Sequence, residues 1–307
     1  MPSPAPRALS VTVLPEQEGM TVKSLLHREF RMAESFIARL KLRPEGICRN
    51  GERVNSDVRL AAGDVLTVRV DDWKGGNSAA PIPAALEFVY EDEDLAVINK
   101  CPGMAVHGSH RGSGCTVANA LAWAWGEAQP FHPVHRLDRG TSGLLVIAKS
   151  AYAHELLRRQ LHTPDFRREY LALVRGELER PEGTVDLPIG REEGHPTRRR
   201  VCPSGQNART EYTLLQSFSW GSLVRLRPLT GRTHQLRVHM AALGHPLLGD
   251  RLYDPDGTDT LEYPALHAER IELCQPITGE RLTLIAPLRE EMRAFLEENG
   301  ARTSQPS

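Results

Sequence analysis

The residue that most suggests chemistry in this sequence is Asp138, in the segment HPVHRLDRGTSGLLVIAKS at residues 132–150. It stands between Arg136 and Arg139, and an apolar run follows, so the acid lies at the start of a predicted buried strand. A carboxylate in that position can act as nucleophile, general base, metal ligand or ion-pair partner. The segment alone does not decide between a structural ion pair and a reactive group.

A cation that could partner Asp138 occurs far downstream, in GRTHQLRVHMAALGHPLLGD. A helix is predicted over residues 233–245, ended by Gly244. His234 and Arg237 share one face of it at a spacing of three residues. An arginine beside Asp138 would favour the ionised carboxylate that a nucleophile needs. Spacing alone favours a structural bridge over a catalytic pair.

Other residues of the same helix have simpler predicted roles. Arg232 lies at the predicted helix start, where it could cap the helix or bind a phosphate. Three apolar side chains are expected to face the core: Leu236, Met240 and Leu243.

The elements that must position these residues are mostly strands after residue 86. Strands are predicted in LEFVYEDEDLAVINK, GLLVIAKS, REYLALVRG, ARTEYTLLQSF and SLVRLRPLT. Helices are predicted in TVANALAWAWG and in SAYAHELLRRQLH, the latter with Leu156, Leu157 and Leu161 inward. Because strands and helices do not alternate strictly, the pattern favours an α+β fold with a mixed, mostly antiparallel sheet flanked by helices.

A smaller α+β unit is predicted before this region. TVKSLLHREF and AESFIARLKL place apolar residues at helical spacing, and GICRNGERVN predicts a hairpin that turns at Asn50 and Gly51. The predicted organisation is a first domain over 1–72, a linker over 73–85, a main domain over 86–300 and a disordered tail over 301–307.

Composition and charge say less about the class of protein than the motifs do. The formal net charge of −1 gives no overall signal for nucleic acid, and the excess of arginine over lysine would also arise from a GC-rich genome. Two local basic segments, 23–43 and HPTRRR at 195–200, are candidate RNA contacts; the second also fits a solvated loop. Five scattered cysteines without a C-x-x-C pair predict free thiols. With no apolar run long enough for a membrane span and no secretory signal, a cytoplasmic protein is expected.

Four segments together resemble the RluA-type RNA pseudouridine synthases. HRLDRGTSGLLVIAK resembles the H-R-L-D-x-x-T-S-G signature of that family, and GRTHQLRVHMAALGHPLLGD resembles its other main signature. NKCPGMAVHGS is similar to the early N-K-P-x-G-x-x-V-H motif, although Cys101 and Gly108 stand where proline is usual. RREYLALVRG is similar to the strand that carries an active-site tyrosine. Residues 10–70 resemble the S4-like RNA-binding module that often precedes such enzymes.

The resemblance implies a pseudouridine-synthase-type fold and the isomerisation of uridine to pseudouridine without cofactor or metal. Asp138 would attack the nucleoside or act as a base, Arg237 would hold it ionised, and Tyr170 would stack on the uracil and serve proton transfer. The target uridine would be flipped out of its helix. The remaining candidates for substrate binding are Arg136, which would fill the vacated space, Leu236 as a wall, His135, Arg232 and His107. His135 could contact an RNA phosphate or be a buried core histidine, and for His107 a role in shaping its loop is favoured over chemistry.

RNA is the implied partner, with ribosomal RNA favoured over transfer RNA, no obligatory protein partner, no membrane and a monomeric state. Two alternatives remain open. One is a non-catalytic RNA-binding assembly factor on the same fold. The other is a metal-dependent hydrolase that would use His132, His135, Asp138, His234, His239 and His245, although the spacing of these residues matches no usual metal motif.

Overall fold

Two helices and a four-stranded sheet form the first seventy residues in a computed structural model, which describes residues 7–73, 76–108, 114–161, 163–257, 259 and 261–300. The tail predicted for 301–307 lies outside the described residues. The sheet has the order β1 (Ala8–Thr12), β4 (Val65–Arg69), β2 (Ile47–Arg49), β3 (Glu52–Arg53). The helices are α1 (Val22–Phe30) and α2 (Glu34–Leu42). The hairpin turns where predicted, since Asn50 and Gly51 both have positive φ.

The core of this N-terminal unit extends into the rest of the chain. Its buried cluster contains the predicted apolar residues of both helices and also Tyr152 and Leu156 of a later helix, α4 (Ala151–Gln160). The rings of Phe36 and Tyr152 lie 5.1 Å apart, and the Tyr152 hydroxyl donates to the carbonyl of Phe30. The N-terminal unit is therefore packed directly on α4.

The segment predicted as a linker is also held in place where it is described. Asn77 is buried, and its side-chain amide donates to the carbonyl of Ala118, while its backbone N–H donates to Glu127. The side chain of Asn119 donates to the carbonyl of Ala80 at 2.7 Å. These residues belong to or follow α3 (Val117–Trp125), so the segment lies along that helix.

One large mixed sheet forms the centre of the chain after the predicted linker. Its strands are β5 (Glu87–Glu91), β6 (Leu95–Lys100), β7 (His132–Pro133), β8 (Ser142–Ala148), β9 (Arg167–Arg175), β10 (Glu182–Asp186), β13 (Arg209–Phe218), β14 (Gly221–Pro228), β15 (Leu266–Cys274) and β16 (Arg281–Ile285). The main path runs β10-β13-β14-β9-β15-β8-β6-β5, and only the β15–β8 pair is parallel. The predicted α+β fold with a mostly antiparallel sheet is confirmed.

The elements that complete the fold are two helices and a small hairpin. The helices are α5 (Gln235–Ala242) and α6 (Glu290–Gly300), and β11 (Ile189–Arg191) pairs with β12 (Arg199–Val201). No helix among the described residues is both long and apolar enough to cross a bilayer. All five cysteines carry free thiols, as predicted.

Helix α5 is shorter than predicted, and this corrects one core residue. It begins at Gln235, because His234 adopts a left-handed conformation with φ of 57°. It ends at Ala242, so Leu243 follows the last turn and is 39% exposed instead of facing the core. Leu236 and Met240 are buried as predicted.

Candidate active site

A cavity of about 660 Å³ lies between the loop before β8, strand β9 and the start of α5. All eight side chains that the sequence singled out line it: His107, His135, Arg136, Asp138, Tyr170, Arg232, Leu236 and Arg237. The fold thus brings together residues from four separate segments of the chain.

Asp138 occupies a tight turn between β7 and β8. Its carbonyl accepts a hydrogen bond from the backbone N–H of Thr141, 3.1 Å away, and its side chain is 26% exposed toward the cavity. Gly143, the second residue of β8, has φ of 102°, and a β-carbon there would lie 2.3 Å from the carbonyl oxygen of Ala268. Only glycine permits this approach of β8 to β15, which fixes where the turn carrying Asp138 sits.

Arg237 faces Asp138 from the first turn of α5. Its Nη1 lies 3.6 Å from Oδ2 of Asp138. Its Nε and Nη2 each donate a 2.7 Å hydrogen bond to the carboxylate of Asp250, which is buried. Burial alone would lower the pKa of Arg237, but the hydrogen bonds and charge of Asp250 outweigh it and raise the pKa. The guanidinium is therefore charged and held in one orientation.

Tyr253 contacts both Arg237 and His234 at this end of the cavity. Its ring lies 5.0 Å from the Arg237 guanidinium, and its hydroxyl lies 2.9 Å from Nδ1 of His234. The same hydroxyl accepts a hydrogen bond from the backbone N–H of Arg199 in β12, 3.0 Å away. The basic segment at 195–200 thus borders the site through Arg198 and Arg199. Burial lowers the pKa of His234, which favours the neutral imidazole.

Tyr170 projects into the cavity from β9 and is 5% exposed. It pairs with Ala268 at the point where the β9–β15 register shifts by one residue, and such bulges redirect side chains. Burial raises the pKa of its phenol, so the hydroxyl is protonated at neutral pH. With the buried Leu236, Tyr170 gives the cavity an apolar surface.

His135 is a neutral core side chain rather than a cation. It is buried, its Nε2 accepts from the backbone N–H of Val146, and burial lowers its pKa to about 3. The Nδ1 atom is buried without a hydrogen-bond partner among the described residues. A charge-assisted contact to phosphate, one of the two roles predicted for His135, does not fit this environment.

The cationic side chains at the cavity mouth are exposed. Arg136 and Arg232 are both open to solvent, and His107 lies beside them. Arg232 does not cap the helix, because α5 begins three residues later; its Nε donates to the carbonyl of Asn207. The capping role predicted for this side chain is wrong.

Two residues that sequence reasoning missed support the site from behind. Asp250 is the last residue of the segment GRTHQLRVHMAALGHPLLGD. In the sequence, only its being an acid indicated that it could pair with an arginine of the site. Lys100 ends β6, and its buried ammonium donates to the carbonyls of Cys101, Met104 and Arg139 at 2.8, 2.9 and 3.3 Å. Lys100 thereby joins the early motif to the residue that follows Asp138. Burial lowers its pKa to about 8.

Two of the five histidines considered for a metal, His135 and His234, line the cavity that holds Asp138, and the other three lie elsewhere. His132 pairs with Asp72 at 2.6 Å, His239 contacts Thr210 at 2.9 Å, and His245 contacts the carbonyl of Arg175. No group of three His, Cys, Asp or Glu side chains among the described residues could hold a metal ion. The arrangement suits chemistry performed by the carboxylate and its arginine.

Known proteins are similar to this chain in sequence and in fold. A family model described as RNA pseudouridylate synthase matches residues 94–242. An uncharacterized RNA pseudouridine synthase of Bacillus subtilis, YhcT, is 37% identical over 292 residues, which cover 94% of this chain and 96% of the relative. The ribosomal large subunit pseudouridine synthase D of Nitrosomonas europaea is 41% identical over 232 residues, covering 72% of this chain and 67% of that protein.

A solved structure agrees with the sequence relatives. Human RNA pseudouridylate synthase domain containing 4 aligns with a TM-score of 0.58 at 26% identity, covering 72% of this chain and 95% of that one. The residues matched by the family model include Asp138, Tyr170 and Arg237.

Proposed function

The chain belongs to the RNA pseudouridylate synthase family, and from this we propose that it isomerises uridine to pseudouridine in structured RNA with Asp138 as the reacting carboxylate. The reaction breaks the bond from uracil N1 to ribose C1′ and forms one from uracil C5 to C1′. The proton on C5 is lost and N1 gains one, so no oxidant, reductant or second substrate is needed.

The observation that carries the proposal is the contact of Asp138 with Arg237 at the mouth of a cavity. A carboxylate can attack or abstract a proton only when it is ionised, and the fixed guanidinium of Arg237 places a positive charge 3.6 Å from Asp138. Because Asp250 occupies two nitrogen atoms of Arg237, the third remains directed at Asp138. In this proposal Asp138 reacts with the nucleoside while Arg237 orients it.

The cavity also suits an extruded base. Its volume lies within the range for small-molecule sites, and a single nucleotide fits that range. Tyr170 would stack on the uracil ring, with its protonated hydroxyl available for proton transfer near C5, and Leu236 would form the opposite wall. Taking the uridine out of its stack costs a few kcal/mol, which contacts inside the cavity would offset.

The charge of the lining supports RNA as the substrate. Among the described residues, five arginines line the cavity against a single carboxylate, Asp138, although the chain as a whole carries a net charge of −1. These arginines are Arg136, Arg158, Arg168, Arg232 and Arg237. We propose that Arg136 fills the space left by the flipped nucleotide and that the exposed arginines contact phosphates. Similarity to the ribosomal large subunit pseudouridine synthase D of Nitrosomonas europaea favours ribosomal over transfer RNA.

Release of tritium from RNA labelled at uracil C5 tests the proposal. Wild type should release tritium to water from an unmodified large-subunit ribosomal RNA transcript, and Asp138→Asn should release none. Asp165→Asn, which changes an exposed acid outside the cavity, should match wild type. Equal release by Asp138→Asn and wild type would refute the role of Asp138. Tight RNA binding without any release by wild type would favour the assembly-factor alternative.

A further inference from the structure

A second recess lies beside the candidate active site, where the N-terminal unit meets the large sheet. It has a volume of about 480 Å³ and lies between α2, α4 and the start of β7. Its lining is mostly basic: Arg39, His132, Ala151, His154, Glu155, Arg158 and Arg159.

Arg158 belongs to both recesses. Its side chain lines the cavity that holds Asp138 and also the second recess, so the two are adjacent along one surface. Arg158 is exposed, and among the described residues its side chain has neither a hydrogen bond nor an ion pair. Its charge is thus available to a ligand that passes from one recess to the other.

The charges around the second recess leave two free cations. Glu155 is paired with Arg159, and Arg159 also donates to the carbonyl of Arg31 at 2.6 Å. His132 is held by Asp72. Within the described part of the chain, Arg39 and Arg158 therefore face the recess without an acidic partner.

Arg39 is positioned for this role by its own helix. Its guanidinium lies 5.2 Å from the centre of the Phe36 ring, three residues earlier on α2. Phe36 in turn packs on Tyr152 of α4, and Asp72 accepts a hydrogen bond from the backbone N–H of Ala151. The two arginines thus come from different units that are fixed against each other.

We propose that this recess binds the phosphodiester backbone of the RNA strand next to the target uridine, with Arg39 and Arg158 as the phosphate ligands. The proposal rests on the proposed function, because it takes the ligand in the first cavity to be a nucleotide of the same strand. Planar guanidinium groups bind phosphate oxygens in pairs, and an RNA strand leaving the cavity presents such a group at every nucleotide. The N-terminal unit then contributes to substrate binding through one defined contact on α2.

The salt dependence of RNA binding tests the proposal. Affinity for a large-subunit ribosomal RNA transcript is measured by filter binding over a range of salt concentrations for wild type, Arg39→Gln, Arg158→Gln and the double variant. Each lost phosphate contact should lower the slope of log K against log salt by about 0.7 for single-stranded RNA. Arg39→Lys keeps the charge and should keep the slope. Both arginines are exposed, so unchanged melting temperatures should verify folding.

Arg281→Gln is the matched control, since it removes an exposed arginine of β16 outside both recesses. Its slope should equal that of wild type. Unchanged slopes in both Arg39→Gln and Arg158→Gln would overturn the phosphate subsite, as would an equal fall in Arg281→Gln. Tritium release by wild type from the same RNA is measured separately. If wild type releases tritium but the salt slopes of the arginine variants are unchanged, the phosphate subsite is refuted and the proposed function stands. If wild type releases no tritium from any RNA, the result counts against the proposed function.

Discussion

Arg237 donates two hydrogen bonds to Asp250, one from Nε and one from Nη2, each 2.7 Å long. This ion pair is shielded from solvent, because the side chain of Asp250 is fully buried and that of Arg237 is 10% exposed. The remaining nitrogen, Nη1, is the atom directed at Asp138. The acid that determines the orientation of this cation is therefore separate from the acid proposed to react.

Asp250→Ala should lower both stability and turnover. Removing one partner of a buried ion pair leaves an uncompensated charge, which costs about 3 kcal/mol in the free energy of unfolding. Without Asp250 to orient it, Arg237 should no longer keep the Asp138 carboxylate in its reactive position. Tritium release by the folded enzyme should then fall roughly tenfold, equivalent to about 1.4 kcal/mol in the activation barrier. Urea unfolding and tritium release measure the two effects.

Asp254→Ala is the control for this variant. It breaks another carboxylate–arginine pair, Asp254 with Arg175 at 2.7 Å, outside the cavity. Its turnover at a temperature where it is folded should equal that of wild type. If both variants lose turnover only in proportion to the fraction unfolded, Asp250 does not position Arg237.

Tyr170→Phe should separate stacking from proton transfer. The phenyl ring retains the apolar surface of the cavity, so RNA affinity and stability should stay close to those of wild type. Tritium release should fall, because the hydroxyl that burial keeps protonated is gone. Tyr170→Leu should weaken RNA binding as well, since stacking of a base on an aromatic ring contributes about 1–3 kcal/mol.

Tyr212→Phe provides the comparison, because Tyr212 lies on β13 outside the cavity lining. It should leave binding and release unchanged. Full tritium release by Tyr170→Phe would exclude a proton-transfer role and leave Tyr170 as a stacking residue only.

Local patterns in the sequence were sufficient for most of the fold. The helical spacing of Val22, Leu25 and Leu26 predicted α1, and the Asn50–Gly51 pair predicted the first hairpin. Both predictions succeeded because each pattern depends only on residues close together in the sequence. The short strand β1 was not predicted. Its five residues form a strand by pairing with β4, which lies far away in the sequence.

The candidate site depends on contacts that sequence spacing does not encode. Asp138 and Arg237 lie far apart in the chain and meet only because β8, β9 and β15 assemble around the cavity, so the resemblance to known motifs was needed to connect them. Asp250 follows Arg237 by 13 residues, beyond the end of α5. No helical period relates the two, and the turn that returns Asp250 to Arg237 is a tertiary feature.

Lys100→Met should loosen the backbone around Asp138. The variant leaves the carbonyl groups of Cys101, Met104 and Arg139 without the ammonium that now binds them, and in the described part of the chain only that of Arg139 keeps a second donor, the N–H of Gly103. An unsatisfied buried acceptor costs about 1–3 kcal/mol, partly offset here because a buried charge is also removed. Amide hydrogen exchange should accelerate over residues 101–104 and 139–141, and tritium release should decrease.

Lys149→Met is the matched control for Lys100. Lys149 also donates to a carbonyl, that of Asp92, but it lies at the far end of β8 and pairs with Glu91. This variant should leave exchange near Asp138 unchanged. Equal exchange rates in Lys100→Met and wild type over those residues would show that Lys100 does not hold the turn.

His135 should make the folded protein sensitive to mild acid. Its pKa is lowered to about 3 by burial, from 6.5 for a histidine in water. Between these values the unfolded chain binds more protons, so the contribution to stability is complete above pH 6.5 and is lost as the pH falls toward 3. One such group lowers the free energy of unfolding by about 1.4 kcal/mol per pH unit, or about 2 kcal/mol at pH 5. His267, with a pKa of about 4, should contribute similarly. His135→Gln retains an acceptor for the N–H of Val146 and should reduce the loss of unfolding free energy between pH 7 and pH 5 by about 2 kcal/mol in urea unfolding. An identical loss in wild type and His135→Gln would mean that His135 is already protonated, or solvated, in the folded protein.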